Sequence, residues 1–203
     1  MYQLTPGVIH YGYSIGCFPM TMSDGSLEWF QPHRRCLFPI TGIHVPASLA
    51  RTIRKNEFEI TFDKAFEEVM RGCKRPEGSW ISDHFIEVYT EIHRQGWGHS
   101  CECWKDGELV GGIYGIAIGS YFAAESMYHT ATNASKVALW AMVQKAAAMG
   151  MLLFDAQIMN PHLERLGAYE VPNYEFSLML KKTIKIESPW GLSPSAANLL
   201  QTS

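Results

Sequence analysis

Glu125, Asp155 and Gln157 are polar side chains in apolar surroundings, where each needs either a partner or a chemical role. Glu125 lies in the run Tyr121–Tyr128 among Phe122, Ala123, Ala124 and Met127, where an unpaired charge is costly to bury. Asp155 and Gln157 occur in Leu-Leu-Phe-Asp-Ala-Gln-Ile, residues 152–158. Two apart on a strand, they share one face. An acid beside an amide can hold that amide in one orientation. The amide oxygen can then accept a hydrogen bond from an attacking amine. Such help is weaker than a general base but adequate for an intrinsically reactive acyl ester. The same spacing also suits a plainer arrangement, with Asp155 capping the next loop and Gln157 at the surface.

Other chemistries find less support. His99, Cys101 and Cys103 fall on one face of an alternating strand, so a metal site is conceivable, but no second Cys or His pair stands at ligand spacing. Trp80 and Tyr89 could stack on a base or belong to the core; a stacking ring leaves one face open. There is no GxGxxG after a strand, no Walker loop, no GxSxG elbow and no HExxH. Ser, Cys and His occur, but spacing cannot place them in a triad.

These residues need a scaffold, and its elements are legible. Asp106-Gly107 marks a hairpin turn between Trp104 and the run Leu109–Ile118, and Gly119-Ser120 a second reversal into Tyr121–Tyr128. The pair Gly111-Gly112 points to close approach by a ligand or another backbone. Upstream, residues 5–16 form a helix from Pro6, followed by a turn at Ser23-Asp24-Gly25. Glu28–Phe30 and Cys36–Ile40 are short strands. Pro46–Lys55 is a basic helix, and Phe58, Ile60 and Phe62 alternate as in a half-buried strand. Asp63 is placed to cap a helix carrying Phe66, Val69, Met70 and Cys73. Lys74–Ser79 is a loop, and Asp83–Gln95 a helix stopped by Gly96. Asn133 caps a long helix over residues 134–149, and Leu152–Ala156 is a buried strand. Helices over Pro161–Leu166 and Tyr174–Thr183 follow, and the tail after Ser188 is expected to be loose. Helices, a strand meander, then a long helix and a buried strand make an α+β domain.

At 203 residues, 47% hydrophobic and 18% charged, the chain suits one large domain or one domain with a small appendage. Its net charge of −3 is uneven. Nine Lys and Arg but only five acids lie between Arg34 and Arg75, a local net of +4 against −7 elsewhere. A basic span on an acidic protein can steer a polyanion. Five cysteines, no signal-peptide pattern and no apolar stretch of membrane-spanning length lead to the expectation of a cytoplasmic protein with reduced thiols.

Several short motifs, in order, resemble the leucyl/phenylalanyl-tRNA–protein transferases, bacterial enzymes that add Leu or Phe to protein N-termini. They are Tyr13-Ser-Ile-Gly-Cys-Phe-Pro, Trp29-Phe-Gln-Pro with Arg35 after it, Gly78-Ser-Trp-Ile and Gly96-Trp-Gly-His-Ser-Cys-Glu-Cys-Trp. Leu109-Val-Gly-Gly-Ile-Tyr-Gly, Glu125-Ser-Met, Asn133-Ala-Ser-Lys and Asp155-Ala-Gln complete the series. Each is weak alone; their order and spacing from about residue 10 to 180 carry the resemblance.

The resemblance implies a GNAT-like C-terminal domain over 46–203, a mixed sheet flanked by helices, after a small N-terminal α/β domain over 1–45, with the boundary between 40 and 56. Coenzyme A phosphates bind a Gly-rich loop in GNAT-type enzymes; here that loop is His129-Thr-Ala-Thr-Asn-Ala-Ser, without the glycines. This disfavours the alternative of an acetyl-CoA-dependent acetyltransferase and suits another acyl donor. The implied donor is Leu-tRNA or Phe-tRNA. The implied acceptors are proteins beginning with Arg or Lys, which are thereby tagged for N-end-rule degradation. No metal or nucleotide cofactor is implied, because the aminoacyl ester already carries the energy. Gln157 would orient the acceptor amine, Asp155 would support it, and Glu125 would sit at the aminoacyl end. Phe122, Met127, Leu139, Met142 and Phe154 would form the Leu/Phe pocket. Trp80, Tyr89 and Tyr13 would hold the terminal adenosine, along with Met20, which replaces a Trp common in the family. Arg34, Arg35, Arg51, Arg54, Lys55, Arg71, Lys74 and Arg75 would bind the tRNA backbone. A monomer is expected. Other departures are His33, where the family has an acid, a short N-terminal arm, and Ala146 in place of a bulkier residue.

Overall fold

In the computed structural model, residues 4–74 and 81–192 are described. The chain runs α1 (Pro6–Ser14), β1 (Phe18–Thr21), β2 (Leu27–Phe30), β3 (Arg34–Phe38), α2 (Ala47–Arg54), β4 (Glu59–Phe62), α3 (Phe66–Cys73), α4 (Asp83–Arg94) and β5 (Gly98–Lys105). It continues through β6 (Glu108–Ile118), β7 (Tyr121–His129), α5 (Ala134–Ala148), β8 (Leu153–Gln157), α6 (Pro161–Arg165), β9 (Tyr169–Pro172) and α7 (Asn173–Thr183). The result is the expected α+β mixture. A seven-stranded sheet in the order β4-β5-β6-β7-β8-β3-β9 is flanked by helices, beside a two-stranded β1-β2 hairpin. Within the large sheet only the pair β7-β8 is parallel. The crossover between them is α5, which packs most of its length into the core. The N-terminal span expected as a separate small unit gives a strand to this sheet, since β3 pairs with both β8 and β9.

Two apolar layers cover the sheet, as the alternation within β6 requires. Tyr114, Ile116 and Ile118 pack under α1, α3, α4 and α7. Ile113 and Ala117 pack under α2, α5 and α6. The paired glycines serve this sandwich and not a ligand. A methyl on Gly111 would meet Ala134 of α5, and one on Gly112 would meet Val69 of α3. Both helices therefore sit closer to β6 than a larger residue would allow.

Several local expectations change. Strands β1 and β9 carry too few alternating residues to have been read from sequence, and both form by pairing with a neighbour. Asp63 does not cap α3. It sits at φ 59° and accepts from the Ser100 N–H at 2.9 Å, while the Ala65 N–H at the start of α3 donates to Glu102 instead. Asn133 stands at the N-cap of α5 in a left-handed conformation, but its side chain accepts no helix N–H; its amide N–H donates to Thr52 Oγ1. Beyond Ser188 the chain is anchored as far as residue 192. Trp190 is buried and stacks on both His99 and Phe122, and Gly119 N–H donates to Leu192 O.

Candidate active site

The parallel pair β7-β8 is short, and its ending creates the site. Pairing runs from Tyr121↔Leu153 to Ala123↔Asp155 and stops. Strand β7 continues to His129, whereas β8 turns away at Gln157, a non-glycine residue held at φ 61°. Backbone in this region costs about 1–3 kcal/mol and persists only where the surroundings enforce it. Here Asp155 enforces it, accepting the Gln157 N–H on Oδ1 at 2.8 Å.

Asp155 is fully buried and fully engaged. Arg35 Nε donates to both its oxygens at 2.9 and 3.0 Å, and Arg35 Nη2 donates to Oδ2 at 2.6 Å. Tyr121 OH donates to the same Oδ2 at 2.6 Å. Arg35 is itself buried, bonded to the Gly16 carbonyl and held between the Phe18 and Phe176 rings. Burial disfavours its charge, but Asp155 and Tyr121 outweigh that and hold the guanidinium further above its ordinary value. A carboxylate with this many donors has no lone pair left for substrate. Asp155 is thus a support, and it acts on the Gln157 main chain, not on the amide. Arg35, expected on the tRNA backbone, is instead the counterion of Asp155 and cannot reach a phosphate.

Glu125 holds the amide. Strand β7 carries a bulge: Tyr114 pairs with Ser126 and Gly115 with Ala124, leaving Glu125 as the extra residue. Bulges re-aim a side chain, and this one turns Glu125 into the gap between β7 and β8. Gly115 permits it, because a methyl there would clash with the Ala123 carbonyl and the Phe122 ring. Glu125 Oε1 accepts from Tyr13 OH at 2.6 Å and from Gln157 Nε2 at 3.0 Å. Tyr89 OH lies 3.0 Å from Tyr13 OH, which extends the chain of hydrogen bonds. With Nε2 fixed on the carboxylate, Gln157 Oε1 faces away from it and is not engaged by any described residue. Burial is the largest influence on Glu125. Hydrogen bonds from Tyr13 and Gln157 oppose it, the charge of Asp155 reinforces it, and the carboxyl is pushed up to about 7.

The gap opens into a cavity of about 410 Å³ that passes between the two layers. Its lining includes Phe18 and Met20 of the hairpin, Phe38, Ile113, Leu139 and Leu163 of the α5 layer, and the polar pair Glu125 and Gln157. Of the expected apolar pocket, Met127 and Leu139 reach the cavity wall. Phe122, Met142 and Phe154 do not; all three are buried behind it, the Phe122 and Phe154 rings 5.0 Å apart. Phe18, Phe38, Ala156, Asn160 and His162 are wall residues that spacing did not reveal. Phe18 and Ala156 fall inside the motifs Tyr13-Ser-Ile-Gly-Cys-Phe-Pro and Asp155-Ala-Gln, and Phe38 inside the strand expected over Cys36–Ile40, but none of these patterns aimed them at a cavity.

Among the residues expected at the adenosine, Met20 lines the cavity. Tyr13 and Tyr89 are wholly buried, so neither ring has an open face for a base; their hydroxyls are what reach the site. Burial, with the charge of Glu125, raises both phenols well above their ordinary value and keeps them neutral donors. Trp80 and Arg75 lie outside the described residues. Arg51, Arg54 and Lys55 are exposed on and just after α2. Arg71 pairs with Glu67, Lys74 with Asp83 and Arg34 with Glu170, all at or near the surface.

His99, Cys101 and Cys103 form no metal centre, and no group of His, Cys, Asp and Glu among the described residues is arranged to hold an ion. His99 sends Nδ1 to Asp63 at 3.0 Å and Nε2 to the Trp190 carbonyl at 2.9 Å, while both cysteines pack in the α5 layer. No helix among the described residues is long and apolar enough to cross a membrane.

Comparison with known proteins converges on one family. The model of the leucyl/phenylalanyl-tRNA protein transferase matches residues 37–181, and that of its N-terminal domain matches residues 2–33. A leucyl/phenylalanyl-tRNA–protein transferase of Herpetosiphon aurantiacus is 46% identical over 184 residues, covering 90% of this chain and 96% of its own length. Those of Salinibacter ruber and Akkermansia muciniphila are 39% and 41% identical, covering 93% and 90% of this chain and 84% and 97% of their own lengths. Solved structures are more distant. An aminoglycoside acetyltransferase from a soil metagenome, 12% identical, gives a TM-score of 0.39 over 48% of this chain and 75% of its own, which leaves the fold to be read from the sheet itself.

Proposed function

The chain belongs to the leucyl/phenylalanyl-tRNA protein transferase family, and from that premise we propose that its cleft moves Leu or Phe from an aminoacyl-tRNA to the free amine of a protein beginning with Arg or Lys. The observation that carries this reading is the Gln157 amide, anchored by Glu125 through Nε2 with Oε1 left free at the cavity. An uncharged α-amine donates one N–H to Oε1, which aims its lone pair at the ester carbonyl. The new C–N bond forms, the ester C–O bond breaks, and the proton lost by nitrogen leaves with the ribose hydroxyl. Because the ester is reactive, holding the two reactants in register supplies most of the acceleration. The Leu or Phe side chain lies between Met127, Leu139 and the Phe38 ring. On this reading Asp155 and Arg35 are positioning residues, which fix the backbone that carries Gln157.

Exposed Arg51, Arg54 and Lys55 are the cations best placed for the acceptor stem, and such binding weakens steeply with salt. The deciding experiment is transfer of radiolabelled leucine from Leu-tRNA to a peptide beginning with Arg, beside the same peptide beginning with Ala. Label on the Arg peptide alone is expected; no label on either would refute the proposal.

A further inference from the structure

A cationic first residue on the acceptor needs a carboxylate; Asp155 is saturated by Arg35 and Tyr121, and Glu125 is engaged through Oε1 in holding Tyr13 and the Gln157 amide. The sheet supplies another. Cys36 on β3 pairs with Gln157 on one side and with Glu170 of β9 on the other. Gln157, Cys36 and Glu170 therefore stand in one row across the strands. Two strand spacings separate the ends of the row, about 10 Å between Cα atoms. An extended Arg or Lys side chain, starting from an amine held at Gln157, spans most of that distance, and the Glu170 side chain covers the rest.

The carboxylate lies on the same face as the cavity wall. Cys36 and Phe38 point into the α5 layer, Phe38 lines the cavity, and Met159 covers Cys36 with its sulfur 3.8 Å from the thiol. Glu170 is the direct cross-strand partner of Cys36, so the two side chains leave the sheet on the same face. Glu170 is not sealed off. Among the described residues its ion pair is with Arg34, whose Nε donates to Oε2 at 3.0 Å; the Glu170 side chain is 31% exposed and that of Arg34 57%. A pair this open contributes little to stability and is readily exchanged for another cation.

Resting on the Arg/Lys acceptor reading above, we infer that Glu170 receives the cationic side chain of the acceptor's first residue, and that Arg34 is the resident cation it displaces. The two partners of one ion pair then act in opposite senses. Glu170→Gln raises KM for peptides beginning with Arg or Lys about tenfold, the loss of one hydrogen bond to a charged group, and leaves KM for Leu-tRNA unchanged. Arg34→Gln removes the competitor and lowers the acceptor KM. Glu170→Arg shifts preference towards a peptide beginning with Glu.

The test is steady-state transfer with Arg, Lys, Ala and Glu peptides on the wild type and these three variants, with thermal unfolding alongside. Opposite changes in acceptor KM for Glu170→Gln and Arg34→Gln support the inference. If both variants change KM in the same sense, or neither changes it while the wild type still selects Arg over Ala, the pair is only a clamp between β3 and β9 and the inference falls. A wild type that labels Arg and Ala peptides equally overturns the acceptor rule itself, and with it this inference, a result distinct from the other.

Discussion

Glu125 ties the chemistry of this site to its stability, and Glu125→Gln separates the two. The Gln oxygen can still accept from Tyr13 OH and from Gln157 Nε2, the two bonds that Glu125 Oε1 accepts, so the change removes the titration and keeps the geometry. The folded carboxyl is pushed from an ordinary value of 4.5 up to about 7. A raised acid is stabilised in its protonated form by folding. Its contribution is therefore fully present below pH ~4.5 and is lost as pH rises through ~7, because the unfolded chain gives up its proton first. At 1.36 kcal/mol per pKa unit the full loss is about 3 kcal/mol, most of it between pH 5 and pH 8. Denaturant unfolding of wild type and Glu125→Gln across that range should show the wild type losing about 2–3 kcal/mol relative to the variant. The same titration should appear in activity as a rise of kcat with a midpoint near pH 7 that the variant lacks, since only the ionised carboxylate holds Nε2 unambiguously. Parallel stability curves from pH 5 to pH 8 would refute the raised pKa. Parallel curves together with an unchanged rate profile would remove Glu125 from the mechanism.

Four further outcomes follow from the same geometry. Gln157→Ala should slow transfer about a hundredfold, in the range of one lost positioning contact, while filter binding of Leu-tRNA stays near normal; full activity would remove Gln157 from its role. Gln157→Gly should be equally inactive yet about 1 kcal/mol more stable than Gln157→Ala, because glycine takes φ 61° without strain; equal melting curves would argue against strain at this residue. Asp155→Ala should cost about 3–5 kcal/mol by leaving Arg35 charged and buried without its counterion, and a change under 1 kcal/mol in urea would contradict the assigned pair. Leu139→Phe narrows the cavity wall and should shift use from Phe-tRNA towards Leu-tRNA about tenfold, within the 1–3 kcal/mol that a methylene or two decides; an unchanged ratio would move the aminoacyl side chain elsewhere.

What the sequence disclosed and what it hid divide along one physical line. Patterns that depend on neighbours in the chain were legible: the Asp106-Gly107 turn, the helical spacing of Phe66, Val69, Met70 and Cys73, and Asp155 and Gln157 two apart on a buried strand. Each reflects a backbone period that acts over a few residues. What stayed hidden depends on which strands meet. Arg34 and Arg35 look alike in a basic stretch, yet strand alternation sends one outward to Glu170 and the other inward to Asp155, 120 residues away in sequence. That fate is decided by β3 inserting between β8 and β9, a pairing no local period encodes. The bulge at Glu125 is equally non-local, since a strand shows an extra residue only against its partner. Gln157 is the instructive case. Read as a regular strand residue, it would share Asp155's face and take its orientation from that acid. The structure gives it a left-handed backbone and swings the amide across to Glu125 instead. Asp155 thus fixes where Gln157 stands and Glu125 fixes where its amide points. Two carboxylates are needed because one, saturated by Arg35 and Tyr121, has no lone pair to spare for the second role.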